Sequence, residues 1–79
     1  MTPGATDHDV REAALLLLSL SEETGGWIDS GRILCRPAGS LSRLAFTVCV
    51  EEGWIRNSWL TTKGHEAVRL FHAGEEVPS

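Results

Sequence analysis

Long apolar runs are missing from this 79-residue chain. No stretch approaches the roughly 18 apolar residues that a membrane-spanning helix needs. The segment "AALLLLSL" is too short to cross a bilayer, and it lacks the basic start and small-residue cleavage site of a signal peptide. The chain is therefore expected to be soluble and cytoplasmic, with no membrane partner. Cysteine is scarce too. Cys35 and Cys49 are the only two, fewer than a small secreted disulfide scaffold usually carries. Both lie in apolar sequence and are expected to be buried free thiols. A disulfide or a reactive thiol is the alternative.

Motifs that carry chemistry are absent as well. There is no C-x-x-C and no H-x-x-x-H. His65 and His72 stand seven apart, so they can share a helix face, but their spacing does not build a zinc site with the cysteines. They are expected to be surface histidines. Gly25-Gly26 reads as a helix stop and not as a phosphate loop. Asp7, His8 and Asp9 could be drawn with a serine as an acid–base set, yet nothing puts a nucleophile beside a base. No catalytic residue, metal or small-molecule cofactor is expected.

Clustered basic charge is also lacking. The net charge is −4, and it is unevenly spread. Residues 1–28 set Arg11 against Asp7, Asp9, Glu12, Glu22 and Glu23. Residues 29–58 set Arg32, Arg36, Arg43 and Arg56 against Asp29, Glu51 and Glu52, a small positive balance. That is a poor footprint for a phosphate backbone, which favours grouped Lys and Arg.

What remains has the composition of a folded domain, with 42% apolar and 23% charged residues. The length suits one small domain. "MTPGA" reads as a flexible arm over 1–5. Thr6 or Asp7 caps a first helix whose first turn holds Asp7, Asp9 and Glu12, as a helix N-terminus favours. Val10, Ala13, Ala14, Leu17, Leu18 and Leu20 form its apolar stripe. "WID" is a short β-prone segment. Asp29 or Ser30 caps a second helix, with Ile33 and Leu34 turned inward, and Pro37 ends it. Ser40 caps a third helix that closes at Gly53. "WIRNSWL" is a compact hairpin or tight bend. Thr61 caps a last helix with Ala67, Val68, Leu70 and Phe71 facing the core. The body spans 6–72, and "GEEVPS" is expected to belong to a disordered tail over 73–79. The fold class is mainly α with a small β-hairpin, in a single domain.

This order of elements resembles the winged helix-turn-helix domains of bacterial regulators such as the MarR, ArsR and PadR groups. "VEEGWI" is similar to the family's "LEEEGLI" at the end of the recognition helix. "WLTTKGHEAVRLF" is similar to its "LTEKGREAL" after the wing. "GGWIDSGRILCRPAGSLSRL" matches the strand and first two helices of the motif less specifically. The resemblance covers roughly residues 10–72. It implies a third helix lying in the major groove and a hairpin wing on the flanking backbone. The groove-facing positions would then be near Leu41, Arg43, Leu44, Thr47 and Val48, with Phe46, Cys49 and Ile55 in the core.

Base edges and phosphates are read by polar side chains, and among those positions only Arg43 and Thr47 supply one. Leu44 and Val48, one turn apart, make a hydrophobic ridge. The wing is reduced to about three residues with one base, Arg56. Arg32, Arg36, Arg43 and Arg56 could form one modest basic strip or remain scattered solvated charge. Trp27, Trp54 and Trp59 would meet in one small sheet, as core packing or as a contact surface.

Two functions follow. One is a non-catalytic module that binds a protein partner, or a second copy, through the third helix and its arginines; an anti-CRISPR-like phage inhibitor of a nucleic-acid-handling complex would suit such a chain. The other is a sequence-specific DNA-binding transcriptional regulator with duplex DNA as partner.

Overall fold

A computed structural model describes residues 6–78; the arm expected over 1–5 lies outside them. The chain forms α1 (Asp7–Glu23), α2 (Ser30–Leu34), α3 (Leu41–Glu51), β1 (Ile55–Arg56), β2 (Trp59–Leu60) and α4 (Thr62–His72). It is mainly α with one antiparallel hairpin, as the sequence implied.

Local chemistry sets the helix ends. Thr6 Oγ1 accepts from the Asp9 amide at 3.1 Å, and the Asp9 carboxylate accepts from the Thr6 amide at 3.3 Å. This reciprocal pair satisfies two amides that α1 would otherwise leave without partners. Asp29, Ser40 and Thr61 cap α2, α3 and α4 in the simpler one-way manner. At the far end of α1, Gly25 and Gly26 take positive φ. Their amides return to the Glu22 and Ser21 carbonyls, which is the Schellman closure a glycine permits. Gly53 closes α3 the same way, and the bond from the Trp54 amide to the Cys49 carbonyl delivers Trp54 straight into the core.

The hairpin pairs Ile55 with Leu60 and Arg56 with Trp59. Its turn is Asn57-Ser58, both with left-handed φ, the pattern of a two-residue type I′ connection that matches strand twist. The wing is thus one residue shorter than expected, and Arg56 belongs to β1. "WID" supplies a single antiparallel bridge, Trp27 to Trp59, flanked by Ile28 N to Ser58 O and Leu60 N to Gly26 O bonds. β2 therefore lies between β1 and the Trp27 segment.

The core gathers Ala14, Leu15 and Leu18 of α1, Ile28, Ala45, Phe46 and Cys49 of α3, Trp54, Ile55, Ala67, Val68 and Val77. Each large apolar side chain withdrawn from water adds on the order of 1.5–3 kcal/mol. Several expectations need correction. Leu15 is buried where the stripe named Leu20, and Leu20 is 62% exposed. Leu34 is exposed because α2 has only five residues and none of them is fully buried. Cys35, at its C-cap, is exposed too, while Cys49 is buried. Within the tail expected to be disordered, Val77 is buried and its carbonyl accepts from Arg11, while residues 73–76 and 78 are exposed.

Candidate functional site

The third helix buries one narrow face, formed by Ala45, Phe46 and Cys49. Burial pushes the Cys49 thiol up to about 12, and its Sγ donates to the Ala14 carbonyl. That thiol is protonated packing and is no nucleophile. Leu41, Leu44 and Thr47 are exposed. Val48 is half-buried and packs against the core, so the ridge expected of Leu44 and Val48 is divided. Val48 is covered in part by α1, and Leu44 keeps 37% of its surface in water.

The polar members of this face each make one bond within the chain. An Arg43 Nη1–H donates to the Arg36 carbonyl at 3.2 Å, tying α3 to the end of α2. Thr47 Oγ1 donates to the Arg43 carbonyl one turn back at 3.0 Å. Helical spacing puts Glu51 one turn beyond Thr47, and it is exposed. An acidic group therefore stands on the outward side of α3. Arg32 and Arg36 are exposed on and just after α2, and Arg56 is exposed on β1. The structure brings Arg36 beside Arg43 through that one bond.

The larger surface feature involves α1, which the sequence reading had left aside. Leu16 and Leu20, one turn apart on α1, are exposed, and so are Leu41 and Leu44 on α3. The two pairs adjoin: Ala13, Leu16, Leu17, Leu20 and Leu41 line one shallow cleft of about 210 Å³. Val10, Leu44, Thr47 and Val48 line a second of about 430 Å³ further along the same seam, with Asp7, Arg11, Glu51 and Glu52 at its rim. The result is a leucine-rich edge between α1 and α3. The hydrophobic run "ALLLLSL" signalled it: a run of four leucines wraps past the roughly 100° stripe that one core can cover.

The three tryptophans part company. Trp54 is fully buried, whereas Trp27 is 44% and Trp59 53% exposed. Side chains directly opposite on neighbouring strands share a face. The bridge and the hairpin register therefore put Trp27, Trp59 and Arg56 in one row on the sheet surface. The alternate residues Ile28, Ile55 and Leu60 turn inward.

Arg11 escaped the sequence reading. Its guanidinium pairs with Glu52 at 3.3 Å, donates to the Val77 carbonyl and sits 5.3 Å from the Trp54 ring centroid. It fastens α1, the end of α3 and the C-terminal segment around the central tryptophan. Its partners lie 41 and 66 residues away, beyond any local signal. His65 and His72 are surface residues that latch α4 to α1, through Glu22 at 3.2 Å and Ser19 at 2.7 Å. Among the described residues, no three His, Cys, Asp or Glu side chains come together in a way that could hold a metal ion. No described helix is long and apolar enough to cross a membrane.

Compared with protein-family models, curated proteins and solved structures, the chain matches none.

Proposed function

We propose that the chain is a non-catalytic binding module on a winged-helix scaffold, and that it acts by protein–protein contact through the α1–α3 edge. The element order, and β2 lying between β1 and the Trp27 bridge, are compatible with that scaffold. The observation that carries the reading is the contiguous exposure of Leu16, Leu20, Leu41 and Leu44. Apolar patches of this kind on a small domain mark contact sites more often than they serve the fold. The edge has the form of two helix ridges with a groove between them, suited to a partner helix or to a second copy of the same face. Asp7, Arg11, Glu51 and Glu52 stand at the rim of this seam, as charges that would set register and on-rate more than affinity.

The alternative, a duplex-DNA-binding regulator, has fewer groups behind it. Arg43 and Thr47 spend donors within the chain, Glu51 faces outward, and the wing offers Arg56 alone. The two readings separate in one pair of measurements. Anisotropy with duplex DNA, read across salt, should show no binding that depends on Arg43 and Arg56. A complex isolated with the native partner should be lost on Leu44→Asp while the variant keeps its fold. Tight, salt-sensitive duplex binding that disappears with the two arginines would overturn the proposal.

A further inference from the structure

The row of Trp27, Trp59 and Arg56 takes no part in the α1–α3 edge. The two indoles stand on adjacent strands, so their attachment points are about 5 Å apart. Both are half in water, and neither lines any of the clefts described above. They are flat platforms, which suit planar ligands better than the side-chain anchors of a peptide, since those need pockets. Arg56, next in the row, has no ion-pair partner among the described residues. A free guanidinium at the end of two aromatic platforms is complementary to a ligand that alternates planar rings with anionic groups.

We infer that this row is a stacking site for single-stranded nucleic acid, with bases on the Trp27 and Trp59 faces and an adjoining phosphate on Arg56. A duplex does not fit, because its bases are closed in their own stack. One guanidinium on an acidic chain also makes stacking, and not phosphate contact, the main source of affinity. Binding should therefore be sequence-tolerant and modest, and only weakly dependent on salt because a single phosphate contact releases few counterions.

The test is an NMR titration of the full ¹⁵N-labelled chain with a short oligothymidylate, a short oligoadenylate and a duplex of similar length. Three indole N–H signals report separately on Trp27, Trp54 and Trp59. The expected result is movement of the Trp27 and Trp59 signals with both single strands, with Trp54 still and the duplex without effect. Trp59→Ala should weaken binding roughly tenfold, and Trp59→Phe, which keeps a platform, by much less. The slope of log affinity against log salt should be about −0.7, the value for one phosphate on a single strand, and should fall to near zero in Arg56→Gln. Stationary Trp27 and Trp59 signals at saturating oligonucleotide, an equal response to duplex, or full affinity in a folded Trp59→Ala variant would each overturn the inference. Loss of the α1–α3 contact through Leu44→Asp should leave this titration unchanged, so the two sites fail or succeed independently.

Discussion

Replacing Gly64 by alanine puts a methyl group where the fold has no room. Gly64 is buried in the first turn of α4. A Cβ there would lie 3.0 Å from the Trp54 carbonyl carbon and 3.2 Å from Leu60 Cδ2, and would overlap the Trp54 carbonyl oxygen. Carbon–carbon contacts are comfortable at about 3.5–4.0 Å and the overlap with the carbonyl oxygen is deeper still, so α4 and the Trp54 backbone must separate by roughly 1 Å or more. That carbonyl accepts from the Thr61 amide at 3.0 Å, and the Trp54 side chain is fully buried. The movement therefore strains a cap-adjacent hydrogen bond and loosens the central packing at once. Overpacking of this kind costs about 1–3 kcal/mol, and a weakened backbone bond adds about 1 kcal/mol. Alanine's helix preference returns up to about 1 kcal/mol. The net expectation is a loss of about 1–4 kcal/mol. A 79-residue domain has on the order of 4–12 kcal/mol in all, so the melting temperature should fall by on the order of 5–25 °C.

Thermal and urea melts followed by circular dichroism measure this. Gly31→Ala is the comparator, because a Cβ there meets nothing closer than Asp29 Oδ1 at 3.8 Å. It should be neutral or slightly stabilising. A Gly64→Ala protein that melts at or above the parent temperature would refute the packing described here. That glycine also accounts physically for the "TTKG" segment: the turn into α4 must pass directly beneath the carbonyl of the buried tryptophan.

Other consequences are open to simpler measurements. A thiol reagent should label one cysteine, Cys35, in the native protein and the second, Cys49, only after unfolding; two fast equivalents would contradict the burial of Cys49. Folding keeps the Cys49 thiol protonated up to about 12, against an ordinary value of 9.0. Its contribution is full below pH 9 and is lost as pH rises from there towards 12, at about 1.4 kcal/mol per unit. Urea titrations should show that alkaline decline, and Cys49→Val should flatten it. Arg11→Ala should lose about 2 kcal/mol, through a part-buried ion pair, a carbonyl bond and a cation–π contact. Arg11→Lys should recover less than half in the same denaturation assay, since a lysine cannot lie flat on the indole.

Local signals in the sequence were readable because their causes are local. Thr6, Ser40 and Thr61 cap helices three residues ahead, and Gly25-Gly26 and Gly53 close them within one turn. The hairpin likewise follows from Asn57-Ser58 accepting left-handed angles. Facing was harder to read. Four consecutive leucines in α1 suit several rotations, and only packing against α3 and α4 selects Leu15 and Leu18 and leaves Leu16 and Leu20 outside. Leu34 was misplaced because a five-residue helix carries too little periodicity to define a face. The α1 half of the leucine-rich edge was missed for a related reason. The surplus apolar surface of α3 was visible, but its continuation onto α1 depends on two helices meeting that are about 20 residues apart in sequence.

The contact face itself is tested most directly by placing a photo-crosslinking amino acid at Leu44, and separately at Leu16, in the full chain expressed in its native host. Thr62, exposed on α4, serves as the control position. One discrete protein adduct, or a dimer of the chain itself, is expected from positions 44 and 16 and none from position 62. Adducts to duplex DNA from position 44, or the same adducts from all three positions, would contradict the contact face.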